Sequence, residues 1–189
     1  MDTRVPSLEQ LELKNYITGT TRGLGRALLG RFQSKHPFEE FEGLDRPWND
    51  LSKDLDRFVK NDFGIYIINA HYEWAQTELL YKLFEANKDR ECQIVVIGSV
   101  SADGDRKAIN KYAIQKKALD AACTQLQLVK SDCFITQIKL GRINTDIVKH
   151  IDAPKMNVKD IARIVYDVVA MNHKNHYVKS ITIDNKDDQ

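Results

Sequence analysis

The feature that most restricts what this chain can fold into is a repeated alternation. Short apolar runs such as Ile65-Tyr66-Ile67-Ile68 and Ile94-Val95-Val96-Ile97 are separated by longer amphipathic stretches. A continuous apolar run of four to eight residues reads as a strand covered on both faces, and an apolar stripe at 3.6-residue spacing reads as the helix that covers it. Repeated along a chain, the pair is a series of βαβ units, which demands a parallel sheet. With 189 residues there is room for one sizeable core, hence a single domain over residues 1–189.

The elements follow in order. A strand ends at Tyr16-Ile17, and the next helix carries Leu24, Ala27, Leu28 and Phe32 on one face before His36-Pro37 stops it. The strand from Phe38 to Leu44 interleaves Glu39, Glu40 and Glu42 with apolar residues, so it belongs at a sheet edge. Between Asp45 and Ile65 there is space for one helix, around Leu51–Val59, but not for a further full strand and its helix. Helices are expected over Trp74–Asn87, Ile109–Leu128 and Val158–Val169, and strands over Phe134–Leu140 and Val178–Ile183. Asp184 to Gln189 reads as a loose polar tail.

Charge and composition exclude several classes. Lys and Arg total 28 against 27 acidic residues, a net charge of +1, so nothing calls for a nucleic-acid or membrane partner. No apolar run approaches the ~20 residues that span a bilayer, and residues 1–6 lack an apolar targeting core, so a cytoplasmic protein is expected. Cys92, Cys123 and Cys133 form no C-x-x-C pair and read as small core residues.

Between the first strand and helix lies Thr18-Gly19-Thr20-Thr21-Arg22-Gly23-Leu24-Gly25. Glycines there let the chain turn sharply and let backbone N–H groups at a helix start approach a pyrophosphate. A phosphate-loop NTPase is excluded, because Arg26-Ala27 stands where Lys then Ser or Thr is required.

Three further segments line up with that turn. Ser99 follows the strand Ile94–Ile97; thirteen residues later comes Tyr112-Ala113-Ile114-Gln115-Lys116; then Leu140-Gly141-Arg142-Ile143-Asn144-Thr145 follows the next strand. In order and spacing these resemble the T-G-x-x-x-G-x-G, Ser, Y-x-x-x-K and P-G-x-V-x-T motifs of the short-chain dehydrogenase/reductase family, from about Thr18 to Ile183. The resemblance implies a Rossmann-like doubly wound parallel sheet in a three-layer αβα arrangement, here abbreviated around the second and third strands. It also implies a site binding NAD or NADP and interconverting a small-molecule carbonyl and alcohol. Catalysis would rest on Ser99, Tyr112 and Lys116. The resemblance places Gly19, Thr21, Arg22, Gly23, Leu24 and Gly25 at the pyrophosphate, Asn69 and Ala70 near the cofactor, and Lys116 with Tyr112 at the nicotinamide ribose. Gly141, Ile143 and Thr145 fall on the carboxamide side. It further implies a homodimer or homotetramer paired through the helices Trp74–Asn87 and Ile109–Leu128.

The chemistry of the trio stands on its own. Carbonyl reduction needs a proton donor at oxygen while hydride arrives at carbon. Tyrosine ionises near 10, and bringing it towards ~7 requires about 4 kcal/mol of phenolate stabilisation. A lysine one helical turn away, at ~4 Å and an effective dielectric near ~20, supplies roughly that. Ser99 would hydrogen-bond the substrate oxygen and orient it.

The choice of cofactor stays open. Asp45 ends the second strand, where a carboxylate accepts from the adenosine ribose and favours NAD. Arg22 and Arg46 occupy positions where NADP-preferring relatives carry basic residues for the 2′-phosphate. Asp50-Leu51 resembles the pair that contacts adenine.

Departures from the family pattern keep other readings alive. His71 replaces the glycine of N-N-A-G, as a pocket wall, a proton-handling group or a solvated loop residue. The family's helix asparagine lacks a clear counterpart, with His71, Tyr72 and Gln76 the nearest polar side chains. The segment Asp146–Asn157 is short for a substrate-covering flap. A non-catalytic dinucleotide-binding sensor or scaffold, or a redox-neutral epimerase or dehydratase, would share the same features.

Overall fold

Strands covered on both faces must satisfy every backbone group within the sheet, and the computed structural model shows how this chain does so for residues 14–36, 40–44, 64–104, 110–172 and 175–186, the residues described. The elements are β1 (Lys14–Thr18), α1 (Gly23–Lys35), β2 (Glu40–Leu44), β3 (Ile65–Ile68), α2 (Ala75–Asn87), β4 (Cys92–Ser99), α3 (Lys111–Leu126), β5 (Cys133–Leu140), α4 (Val158–Ala170) and β6 (Ser180–Ile183). The six strands form one parallel sheet in the order β2-β1-β3-β4-β5-β6. The chain leaves β1 in one direction to make β2 and returns to its other side to make β3. This reversal opens a crevice at the carboxyl ends of β1 and β3, where open α/β sheets bind ligands.

Alternate strand residues feed two separate cores. Tyr16, Tyr66, Ile68, Ile94 and Val96 pack with α2 and α3, while Ile17, Ile67, Val95, Ile97 and Ile138 pack with α1 and α4. Three layers result, as the sequence pattern requires. Leu79, Leu80, Leu83 and Phe84 of α2 are all buried in the first core. The three cysteines are buried and free.

Differences from the expected boundaries have local causes. β4 outruns the apolar segment Ile94–Ile97 at both ends because its ladder with β5 runs from Cys92↔Cys133 to Ser99↔Leu140. α3 begins at Lys111 rather than Ile109, since the Asn110 side chain accepts the Ala113 N–H at 3.1 Å and caps the helix. β2 lies at the sheet edge among the described residues, where its carboxylates were expected to place it. The helix expected around Leu51–Val59, and the abbreviation around it, lie outside the described residues.

The start of the carboxyl-terminal tail is not loose. The Gly141 N–H donates to Ile183 O at 2.8 Å, Asn185 Nδ2 donates to Arg142 O at 3.3 Å, and the Asp184 side chain lies over Gly141, where a Cβ would fall 1.9 Å from its Oδ1. Polar residues that look solvated in sequence are here fastened to the turn after β5.

Candidate active site

The glycine turn sits at the crevice. Gly19 and Gly23 adopt positive φ values of +74° and +57°, a backbone region that disfavours residues with a Cβ. Gly25 is required for a different reason: a Cβ there would lie 2.0 Å from Gly19 O and 2.7 Å from Asn69 Nδ2. The turn is stitched to the end of β3 by Thr18. Its hydroxyl accepts the N–H groups of Asn69 and Ala70, both at 2.9 Å, and Asn69 Nδ2 donates to Thr18 O at 3.1 Å. Thr145, after β5, closes on the other side, its Cγ2 3.4 Å from a Cβ placed on Gly23. Five expected binding residues, Gly19, Gly23, Gly25, Asn69 and Ala70, are thus brought together with Thr145.

Helix α1 starts from this turn. Arg22 is its N-cap and makes no side-chain capping bond, and the first turn holds no acidic residue. Its terminal N–H groups and positive dipole end therefore suit an anion. Leu24 and Gly25 are buried, whereas Thr21 and Arg22 are exposed. Asp45, Arg46, Asp50 and Leu51 lie outside the described residues.

Ser99, Tyr112 and Lys116 lie on β4 and the helix that follows it. Ser99, 7% exposed, ends β4; its hydroxyl donates to Ser101 Oγ at 3.1 Å and accepts the Ser101 N–H at 3.2 Å. Tyr112, in the first turn of α3, is near enough to Ser99 for that side chain to lower the proton affinity of the phenol. Lys116 Nζ lies 5.6 Å from the centre of the Tyr112 ring.

The electrostatics differ from expectation. Tyr112 leaves 39% of its surface open, yet burial pushes its phenol above the ordinary value of 10, and Ser99 only partly opposes this. Lys116 does not bring the phenol towards neutrality. Its Nζ is drawn instead to two oxygens, Gln76 Oε1 at 2.7 Å and Ile97 O at 3.1 Å. With the residue only 4% exposed, burial lowers the lysine pKa to about 8.

His71 is half-buried against Tyr112. Its ring meets Tyr112 edge to face, centroids 4.8 Å apart at 84°. Burial, aided by the Lys116 charge, lowers its pKa to about 4, so a neutral ring walls the tyrosine. The turn carrying it is strained and pinned: Glu73 has φ +46°, and its carboxylate pairs with Lys111 Nζ at 3.0 Å. A pH effect on stability follows. Below about pH 6.5 the unfolded chain protonates His71, while the folded chain resists until about pH 4, so stability falls as pH drops through that window. Unfolding by urea at about pH 7 and about pH 4.5 should show a loss on the order of 1 kcal/mol attributable to this residue, and His71→Phe should remove that part of the slope. An unchanged slope would mean that His71 is not buried in this way.

The rest of the site is held by short ties. Ile143 bridges Met156, with Asn144 N–H donating to Met156 O at 2.9 Å and Met156 N–H to Arg142 O at 2.8 Å, so the segment after β5 folds back on itself rather than extending as a flap. Lys139 Nζ ties Asp103, at 2.7 Å, to Asp120 of α3, at 3.0 Å, anchoring the segment between Ser99 and Tyr112. Among the described residues no helix is long and apolar enough to cross a membrane.

No family model matches the sequence, and no curated protein does. Solved structures do resemble it. A short-chain dehydrogenase/reductase from Vibrio parahaemolyticus superposes with a TM-score of 0.68 at 17% identity, over 92% of this chain and 100% of that one. A short-chain dehydrogenase from Sphingobium yanoikuyae in complex with NADPH gives 0.70 at 16% identity, over 94% and 89%. A 4-hydroxyisoleucine dehydrogenase complexed with NADH gives 0.67 at 17%, over 91% and 96%. The chain has the Rossmann-like α/β fold of these proteins.

Proposed function

We propose that this chain is an NAD(P)-dependent oxidoreductase of the short-chain dehydrogenase/reductase type, interconverting a carbonyl and an alcohol on a small molecule. The observation that carries the reading is Lys116 Nζ 5.6 Å from the centre of the Tyr112 ring, on the helix that follows the buried Ser99 at the end of β4, in the same sheet as the glycine turn after β1. Tyr112 acts as acid and base, Ser99 holds the reacting oxygen, and Lys116 positions the tyrosine.

The glycine turn supports a dinucleotide. Gly19 and Gly23 take the left-handed backbone and Gly25 packs directly on Gly19, a tight turn beside an α1 terminus without a side-chain cap. Thr21, Arg22 and Leu24 border the same pyrophosphate position. Asn69 and Ala70 reach towards the nicotinamide half, Tyr112 and Lys116 its ribose, and Gly141, Ile143 and Thr145 its carboxamide. Asp45, Arg46, Asp50 and Leu51 belong to the adenosine end, where NAD and NADP are told apart. The solved relatives with NADPH and NADH support either cofactor. When bound, the nicotinamide supplies hydride to the carbonyl carbon and, once oxidised, a positive charge near the phenol.

The chain's own part is proton handling. A phenol held above its ordinary value stays protonated at neutral pH, so Tyr112 stands ready as the donor to a carbonyl oxygen. A pairing of two or four chains through the outer faces of α2 and α3, where Tyr81 and Ile114 are exposed, belongs to the same reading.

A second reading is favoured by the Lys116 contacts: a dinucleotide-binding sensor whose lysine is engaged by Gln76 and Ile97 O instead of serving turnover. The test is to offer NADH and NADPH with a panel of aldehydes, ketones and imines and to follow the near-ultraviolet absorbance of the dinucleotide, with calorimetry for binding. Oxidation of the dinucleotide that requires the carbonyl is expected. Binding without turnover across the panel would leave the sensor.

A further inference from the structure

Helix α2 turns an apolar face inward along most of its length, with Leu79, Leu80, Leu83 and Phe84 buried. In its first turn the inward residue is instead Gln76, only 3% exposed. A buried carboxamide is costly unless every polar group is met. Here every group is met. Nε2 donates to Ile68 O at 2.9 Å, at the end of β3, and to Ile97 O at 3.0 Å, near the end of β4. Oε1 accepts Lys116 Nζ at 2.7 Å.

The orientation of this amide is forced by chemistry. Turning it over would set an oxygen against two carbonyls and an NH₂ against an ammonium. Two strand ends therefore fix which end of the amide faces the lysine.

We propose that Gln76 is a positioning residue of the oxidoreductase site, its carboxamide locked across the ends of β3 and β4 and holding Lys116 Nζ beside the Tyr112 ring. The inference rests on the functional reading above and adds a residue to it. An amide acceptor holds the lysine in place without the countercharge that a carboxylate would bring. The titratable groups around Lys116 are Tyr112 and Cys123 on its own helix and His71 on the turn opposite, and the two oxygens that hold its Nζ are an amide and a backbone carbonyl rather than a carboxylate. The lysine is thus placed by geometry while its charge stays labile, consistent with a pKa lowered to about 8.

The test reads the lysine itself, so it needs neither cofactor nor substrate. In ¹⁵N/¹³C-lysine NMR of the full chain, with Lys116→Arg assigning the resonance, Lys116 ammonium protons should exchange at least ~10-fold more slowly than those of exposed Lys117. Gln76→Glu should raise the Lys116 titration midpoint by about one pH unit, and Gln76→Met should lower it by a similar amount, each about tenfold in proton affinity. Folded variants that titrate like the parent, or equal exchange rates for Lys116 and Lys117 in the unaltered protein, overturn the proposal. If neither variant folds, the exchange comparison in the unaltered protein still decides. In turnover, Gln76→Met should lower kcat about tenfold with the carbonyl KM little changed. A parent without turnover whose lysine behaves as expected sinks the oxidoreductase reading and keeps Gln76; an active parent whose lysine ignores Gln76 does the reverse.

Discussion

Tyr112→Phe should reduce turnover ~10³-fold, within the range of about 10²–10⁴ that a positioned proton donor contributes, while leaving dinucleotide affinity within about threefold. The substitution removes one oxygen and little else. The ring still meets His71 edge to face at 4.8 Å and still lies beside Lys116 Nζ, and Ser99 keeps both of its bonds to Ser101. Loss of the phenol's polar interaction, by whatever partner it has, should alter stability by about 1 kcal/mol, too little to unfold the site. Single-turnover kinetics with the best substrate of the panel, together with calorimetric titration of the dinucleotide, separates chemistry from binding. A variant as active as the parent would remove Tyr112 from the acid's role. A parent and variant equally inert, both binding dinucleotide, would end the claim of catalysis altogether.

The second large effect is expected at Gly25. In Gly25→Ala the new methyl would fall 2.0 Å from Gly19 O and 2.7 Å from both Gly19 C and Asn69 Nδ2. Two of these are backbone atoms of a turn whose Gly19 is already in the left-handed region, so no side-chain end can swing aside to absorb the clash. Stability should drop by about 3 kcal/mol, which for a chain of this size lowers Tm by ~6–12 °C. Dinucleotide binding should be lost with it, because the turn must open where a pyrophosphate would approach. Gly30→Ala supplies the contrast. It lies on the exposed side of the same helix with nothing within 4 Å of a Cβ, and should stabilise the protein by about 0.5–1 kcal/mol. Thermal unfolding of both variants, with titration of NADH and NADPH, decides the matter. A Gly25→Ala protein with unchanged Tm and intact binding would contradict the close packing of the turn on β1 and β3.

Much of this molecule is written in short-range pattern. The alternation of apolar runs and amphipathic stretches determines a parallel sheet between helical layers, because strand and helix periods differ and each covers the other's apolar face. The carboxylates of β2 place that strand at an edge, and the glycines of 19–25 mark the sharp turn, for equally local reasons. Tyr112 and Lys116 share a helix face through their spacing of four, which requires no knowledge of what the helix packs against.

What the tertiary structure alone decided concerns residues far apart in the chain. In sequence Gln76 is one of three polar side chains, with His71 and Tyr72, near the place of the family's helix asparagine, and nothing local singles it out. It meets Lys116, forty positions later, because β3 and β4 are neighbours and α2 and α3 lie side by side on one face of the sheet. The same packing turns His71 into a neutral wall, and fastens Asp184 and Asn185 to the turn at Gly141 and Arg142. It also buries the Tyr112 phenol enough to raise its proton affinity, through surroundings that spacing does not record. Periodicity determines which face a residue takes; the proton affinities on that face depend on what the rest of the chain brings against it.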